Sequence, residues 1–168
     1  NLLKITKLEA GSIVLEKKPE DVAEMMNNVE LRFSYRAEQE QKKLVLFGEE
    51  DIFLSCDRDW ILEAVDNIVK NAMDHTKSGD TIEIKWRKSA SIVQIQIKDN
   101  GSGIHPEDLH HIFKRFYRSR FSKDQQGIGL GLPLAKMIIE AHNGTIEVNS
   151  ELGKGTMFTI SFLIPIKL

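Results

Sequence analysis

A single cysteine, Cys56, stands among 168 residues. That excludes an intramolecular disulfide and a cysteine-based zinc site, and it fits a reducing compartment. Proline is scarce at 4, and the 11 glycines show no period. Collagen-like and low-complexity classes are therefore excluded. No apolar run approaches the roughly 20 residues of a membrane helix, and the start lacks the pattern of a signal peptide. Neither sign of charge dominates, since 23 Lys and Arg against 25 Asp and Glu leave −2. No global basic field argues for nucleic acid. What is present is 41% hydrophobic and 29% charged, the composition of an ordinary folded domain. About one domain is expected, hiding roughly 70% of its unfolded surface. The first residue is Asn rather than Met, so a fragment or a processed chain is expected.

Periodicity then places the elements. Residues 2–10 carry Leu2, Ile5 and Leu8 at helical spacing, and Gly11 is placed to end the helix. This piece is too short to be stable alone and is expected to be the tail of a longer helix. Residues 13–17 alternate like a strand. Pro19 suits the first turn of a helix bearing Val22, Met25, Met26, Val29 and Phe33. Residues 43–47 and 52–56 read as two strands around a turn at 48–51. Residues 58–75 form a helix with one apolar stripe (Ile61, Leu62, Val65, Ile68, Val69, Ala72), which Asp57 or Asp59 is expected to cap. Residues 81–87 and 91–98 make a hairpin. Pro106 is expected to open a short helix to about Phe113. The polar stretch 117–127 reads as a mobile loop. Residues 130–142 form a further helix, and strands at 145–149 and 156–164 flank the turn Leu152-Gly153-Lys154-Gly155. Helices and strands mix without strict βαβ alternation. The expected class is α/β, a two-layer sandwich with a mostly antiparallel sheet.

Three local patterns carry chemistry. In Asn67-Ile68-Val69-Lys70-Asn71 two Asn lie four apart, so both amides leave one helix face. An amide oxygen is a hard neutral donor suited to Mg²⁺ held together with substrate phosphates, though two Asn on a helix can equally be solvated. Asp99-Asn100-Gly101-Ser102-Gly103 closes a strand. Its glycines permit positive φ and close backbone approach to a flat ligand. The carboxylate can accept from an exocyclic amine, which favours adenine over guanine. The competing reading is an acidic hairpin turn. Gly127-Ile128-Gly129-Leu130-Gly131-Leu132 runs straight into a helix, where backbone N–H groups bind phosphate. The competing reading is a flexible loop with a helix cap. The spacing is neither a Walker motif nor a dinucleotide fingerprint.

In this order, and followed by Gly153-Lys154-Gly155-Thr156, these elements resemble the N, G1, G2 and G3 boxes of the Bergerat ATP-binding fold. Ile112-Phe113-Lys114-Arg115-Phe116-Tyr117-Arg118 resembles the F box of sensor histidine kinases. The resemblance covers residues 13–168, which it marks as a catalytic ATP-binding domain with a mobile lid. Residues 1–12 resemble the end of the dimerisation helix that precedes this domain in those kinases.

The resemblance implies ATP and Mg²⁺ as cofactors. Asn71 would hold the metal. Asn67 takes the place where gyrase-type ATPases carry a Glu that activates water. An amide does not act as a base near neutral pH, which argues against fast hydrolysis and for transfer to another acceptor. Asp99 would read the adenine amine, Gly101 and Gly103 would lie beneath the base with Ile104 beside them, and Thr156 would support that network. Gly127, Gly129, Leu130, Gly131 and Leu132 would cover the phosphates. Lys70, His75 and Tyr117 are further candidates for nucleotide contact. The usual Lys after the N box is replaced by Asp74, which removes one expected phosphate contact. Arg118, Arg120 and Lys123 against Asp124 give the lid a local charge of +2, which suits a triphosphate. Arg115 and Arg118 are expected to stabilise charge on the γ-phosphate.

A histidine kinase also needs an acceptor His followed by Glu or Asp on a helix. None of His75, His105, His110, His111 or His142 has that setting. The acceptor is expected upstream, so this chain would bind Mg-ATP without phosphorylating itself. The implied partners are its own dimerisation domain and a response regulator, in a parent that is a homodimer, while the fragment itself is expected to be monomeric. The implied setting is cytoplasmic, with the parent anchored in a membrane. Two other readings stand beside this one. The first is a different Bergerat-fold protein, such as a serine kinase acting as an anti-sigma factor or a chaperone- or repair-type ATPase. The second is a nucleotide-responsive module without catalysis.

Overall fold

The computed structural model describes residues 2–118 and 130–165. The chain begins with helix α1 (Leu2–Glu9), whose Ile5 is fully buried. Gly11, at φ +64°, ends it, and the N–H of Ser12 reaches back to the carbonyl of Lys7. This is the left-handed glycine stop anticipated from the sequence.

Residues 13–17 do not form the expected strand. The N–H of Glu16 donates to the Asp57 carboxylate at 2.9 Å instead of to a ladder. The strand β1 (Lys18–Asp21) comes later and contains Pro19. It pairs antiparallel with β3 (Phe53–Cys56) in a separate two-stranded sheet. Such an edge tolerates a residue without an N–H. Helix α2 (Val22–Gln39) therefore starts after the proline. Its cap is Asp21, which accepts from the N–H of Glu24 at 3.2 Å.

The main sheet has five strands in the order β2-β4-β5-β7-β6. They are β2 (Lys43–Gly48), β4 (Thr81–Lys88), β5 (Ile92–Asp99), β7 (Gly155–Leu163) and β6 (Gly144–Glu151). Only β2 and β4 run parallel, and the other pairs are antiparallel. Strands β2 and β3 thus do not form the hairpin their spacing indicated, because each finds its partner in a different sheet. One face of the main sheet carries Ile84, Ile95, Ile97, Phe158 and Ile160, all buried. Helices α3 (Arg58–Asp74) and α4 (Gly131–Ala141) supply the opposing layer through Ile61, Val65, Ile68, Leu134 and Ile138. Lys85, Arg87, Gln94 and Gln96 alternate onto the open face. The two-layer α/β sandwich is the fold expected from the sequence.

Two further expectations change. Asp57 stands at the start of α3 but makes no side-chain cap bond, since its carboxylate is taken by Glu16. Residues 106–113 form successive turns rather than a helix. The N–H groups of Asp108, His111, Lys114 and Tyr117 each reach back three residues. No described helix is long and apolar enough to cross a membrane.

Candidate nucleotide-binding site

The end of β5 delivers Asp99 to the inner face of the sheet. It lies opposite Thr156 on β7, which in turn lies opposite Ser150 on β6. The three polar side chains thus form one row across three strands. Asp99 is 4% exposed and Thr156 5%. Burial pushes the Asp99 carboxyl above the ordinary range, while the backbone N–H groups of Gly101 and Thr156 and the nearby His75 pull it down. The N–H of Gly101 donates to its Oδ1 at 2.9 Å.

Three backbone segments close around this carboxylate. A Cβ on Gly101 would lie 2.2 Å from the carbonyl oxygen of His75, at the end of α3. On Gly103, at φ +73°, it would lie 2.3 Å from the carbonyl of Glu151. The N–H of Ser102 donates to the His75 carbonyl, and the N–H of Gly153 donates to that of Ser102. These glycines are thus required by the contact of three chain segments, independently of any bound base. The N–H of Ile104 donates to the Ser150 hydroxyl at 2.8 Å. His75 contributes its backbone carbonyl to this node.

Helix α3 passes beside the start of α4. Asn67 and Asn71 leave the same face of α3, and Asn67 stands next to Gly131. A Cβ on Gly131 would meet the Asn67 Oδ1 at 3.6 Å, an ordinary contact, so packing does not require this glycine. Among the described residues, the buried Asn67 side-chain nitrogen has no hydrogen-bond partner. An orphaned buried donor costs about 1–3 kcal/mol unless a ligand meets it. Leu130, the residue before α4, offers no side-chain cap. Gly131, the first residue of that helix, stands beside Asn67, and a helix start of this kind suits an anion.

Several expected residues hold other partners. Lys70 pairs with Asp74 at 2.9 Å, and Asp74 also accepts from Arg36 of α2 at 2.8 Å. Asp74, where a phosphate-contacting Lys was expected, thus ties the end of α3 to α2. Arg115 pairs with Glu9 of α1. The Tyr117 hydroxyl donates to the buried carboxylate of Asp108, and its ring lies against His111. Gly127, Gly129 and the lid charges Arg120, Lys123 and Asp124 lie outside the described residues. Two participants carried no sequence signal. Ser150 is a serine in an alternating strand, and Asp108 follows a proline turn. Only tertiary pairing reveals either.

The donor set fits Mg-ATP in part from this chain alone. Among the described residues no group of three or more His, Cys, Asp or Glu could hold a metal. A cation at Asn71 would need phosphate oxygens as further ligands, as Mg²⁺ commonly does. The Asn67 amide beside the start of α4 would offer donors to such phosphates.

Similarity to known proteins fixes the family and the fold. Residues 56–166 match the model of the family described as histidine kinase-, DNA gyrase B-, and HSP90-like ATPase. The sensor protein SrrB of Staphylococcus aureus is 34% identical over 166 residues, covering 98% of this chain and 28% of SrrB. The chain therefore spans little more than a quarter of that relative. Among solved structures, the histidine kinase AdeS of Acinetobacter baumannii superposes with a TM-score of 0.80 at 26% identity, covering 96% of this chain and 74% of that one. The catalytic domain of the histidine kinase ThkA gives 0.77 at 25%, covering 88% and 95%. Full-length ShkA, in complex with AMPPNP, shares the fold with a TM-score of 0.85 at 23% identity, covering 96% and 34%. With a family model matching about two thirds of its length and sensor kinases among its relatives, the chain belongs to the histidine kinase-, DNA gyrase B- and HSP90-like ATPase family, as a catalytic domain of the sensor histidine kinase type.

Proposed function

We propose that this chain binds Mg-ATP and donates the γ-phosphoryl group to a histidine on a dimerisation domain, as the catalytic half of a two-component sensor kinase. The observation that carries the reading is the buried row of Asp99 and Thr156, together with the Asn67 amide at the start of α4. The row offers hydrogen-bond acceptors to an exocyclic amine, and the second group offers donors to phosphate. Asn71, together with the phosphates, would hold Mg²⁺, which would supply charge neutralisation during transfer.

Asn67 holds and orients a phosphate oxygen through its amide and takes up no proton. With no base at this place, water is poorly activated, and an external nucleophile is the better acceptor. Arg118, next in sequence to the lid residues, would stabilise charge on the transferred group. The described histidines do not provide the acceptor. His142 is buried, with Nδ1 on the Ile138 carbonyl and Nε2 accepting from the Asp57 N–H. His105 uses Nδ1 to accept from the Glu107 N–H within a turn. We assign α1 to the end of the dimerisation helix and residues 13–168 to the catalytic domain. The acceptor would be presented by that helix further upstream, in a cytoplasmic homodimer that passes the phosphoryl group to a response regulator.

The test is to incubate the chain with γ-labelled ATP, alone and with a separate dimerisation domain bearing an acceptor histidine. Label should appear on the added domain and be acid-labile. Strong labelling of the chain alone at a histidine would overturn the assignment of roles. Rapid release of inorganic phosphate without transfer would favour a simple ATPase of the same fold.

A further inference from the structure

We infer that Ser150 is a specificity-determining positioning residue, which locks the Thr156 hydroxyl as an acceptor and so sharpens the choice of adenine over a 6-oxopurine. The inference rests on the adenine reading above and concerns how that same site discriminates.

The Ser150 Oγ has three neighbours. It accepts from the Ile104 N–H at 2.8 Å, lies 3.0 Å from the Gly155 carbonyl oxygen, and lies 2.9 Å from the Thr156 Oγ1. A serine hydroxyl has one proton and two lone pairs. The Gly155 carbonyl accepts only, and the Ile104 N–H donates only. If Ser150 gives its proton to Gly155, both lone pairs remain, one for Ile104 and one for Thr156. All three bonds are then made. If Ser150 gives its proton to Thr156, the bond to Gly155 is lost. The arrangement with three bonds is favoured because these atoms are partly buried and an unmade bond there is costly. Thr156 therefore spends its only proton on Ser150.

The consequence falls on the row. Thr156 lies directly between Ser150 and Asp99. With its proton directed to Ser150, it presents lone pairs alone, and the ionised Asp99 carboxylate does the same. A purine amine finds acceptors there. A 6-oxo group finds no donor and is left unpaired against two acceptors. Sites built to hydrogen-bond a particular group reject analogues that leave buried polar atoms unpaired. Without the Ser150 hydroxyl, the Thr156 proton is free to turn toward a 6-oxo group.

The experiment titrates the whole chain with Mg-ATP and Mg-ITP by calorimetry. The wild type should prefer ATP strongly. Ser150→Ala should lower the ATP-to-ITP affinity ratio by about tenfold, the worth of one regained hydrogen bond. Ser150→Thr, which keeps the hydroxyl, should restore the ratio. In a Thr156→Val background Ser150→Ala should leave the ratio unchanged, because no hydroxyl remains to be released. If Ser150→Ala does not fold, Ser150→Cys supplies the same readout through a much weaker hydrogen-bonding group. A parallel fall in both affinities would mean that Ser150 is merely structural and would overturn the inference. So would an unchanged ratio, or a changed ratio that persists without the Thr156 hydroxyl. A wild type that does not distinguish ATP from ITP would overturn the adenine reading itself and this inference with it.

Discussion

Replacing Asp99 with Asn separates binding from stability, because the same burial acts on both in opposite directions. Asn is nearly isosteric, and its remaining oxygen can still accept from the Gly101 N–H, now held at 2.9 Å by Oδ1. The other carboxylate oxygen becomes an NH₂ group. A hydrogen bond to a charged group contributes roughly 1.5–3 kcal/mol, and a buried donor left unpaired costs about 1–3 kcal/mol more. The adenine amine meeting that NH₂ suffers both effects. ATP affinity should fall by about two to four powers of ten. Stability should not follow. Burial holds the Asp99 carboxyl above its ordinary value, so the ionised form is penalised in the fold and less so when unfolded. The native state therefore gains stability as pH falls through that raised value, and at neutral pH it carries the penalty. Asn removes it but gives up the acceptor that the Thr156 N–H now has, so the two effects offset one another and the variant should melt near the wild-type temperature. Calorimetric titration and thermal melting of the same preparation check both halves. Unchanged ATP affinity in a folded variant would refute the adenine assignment. A clearly lowered melting temperature would refute the account of burial.

Other expectations follow from neighbouring geometry. Gly101→Ala drives a Cβ to 2.2 Å from the His75 carbonyl and should destabilise by several kcal/mol, about the upper range for single substitutions. Gly131→Ala meets only an ordinary contact at 3.6 Å and should melt like wild type or slightly higher. It should nevertheless weaken ATP binding by crowding the helix start. Equal melting losses in the two variants would contradict the distinction. His142 is held neutral, because burial pushes its pKa down and its Nε2 accepts from a backbone N–H. Its contribution is present in full above the unfolded value of 6.5 and is lost as pH falls from there through the lowered folded value. Urea melts between pH 8 and 5 should show this loss, and His142→Gln should flatten it. Cys56 is buried, chiefly by which its thiol is pushed up to about 12. It should resist aromatic disulfide reagents in the native state and react promptly in denaturant. Rapid native labelling would show that β3 opens.

Much of this was legible before any coordinates. The stripe of α3 and the alternation of β4 and β5 are local, because apolar spacing of 3.6 or 2 decides which face is buried. The order of Asn67, Asn71, Asp99, Gly131 and Thr156 marked the candidate site for the same reason, since each motif carries its own chemistry over a few residues. Pairing was not legible. Residues 43–47 and 52–56 look like a hairpin, yet Lys43 meets Thr81 and Cys56 meets Lys18. Pro19 looked like a helix start, and an edge strand took it because Asp21 was the better cap. Gly101 and Gly103 looked reserved for a base, and their freedom is already used by the carbonyls of His75 and Glu151. Asp74 looked like a lost phosphate ligand and proves to be a tie between helices. Ser150 showed nothing at all. By itself the sequence determined most of the elements, the family and the kinds of atoms brought to the candidate site. Only the tertiary structure decided which atoms already have partners. A hydrogen bond or a close carbonyl depends on segments dozens of residues apart, and no local period encodes that distance.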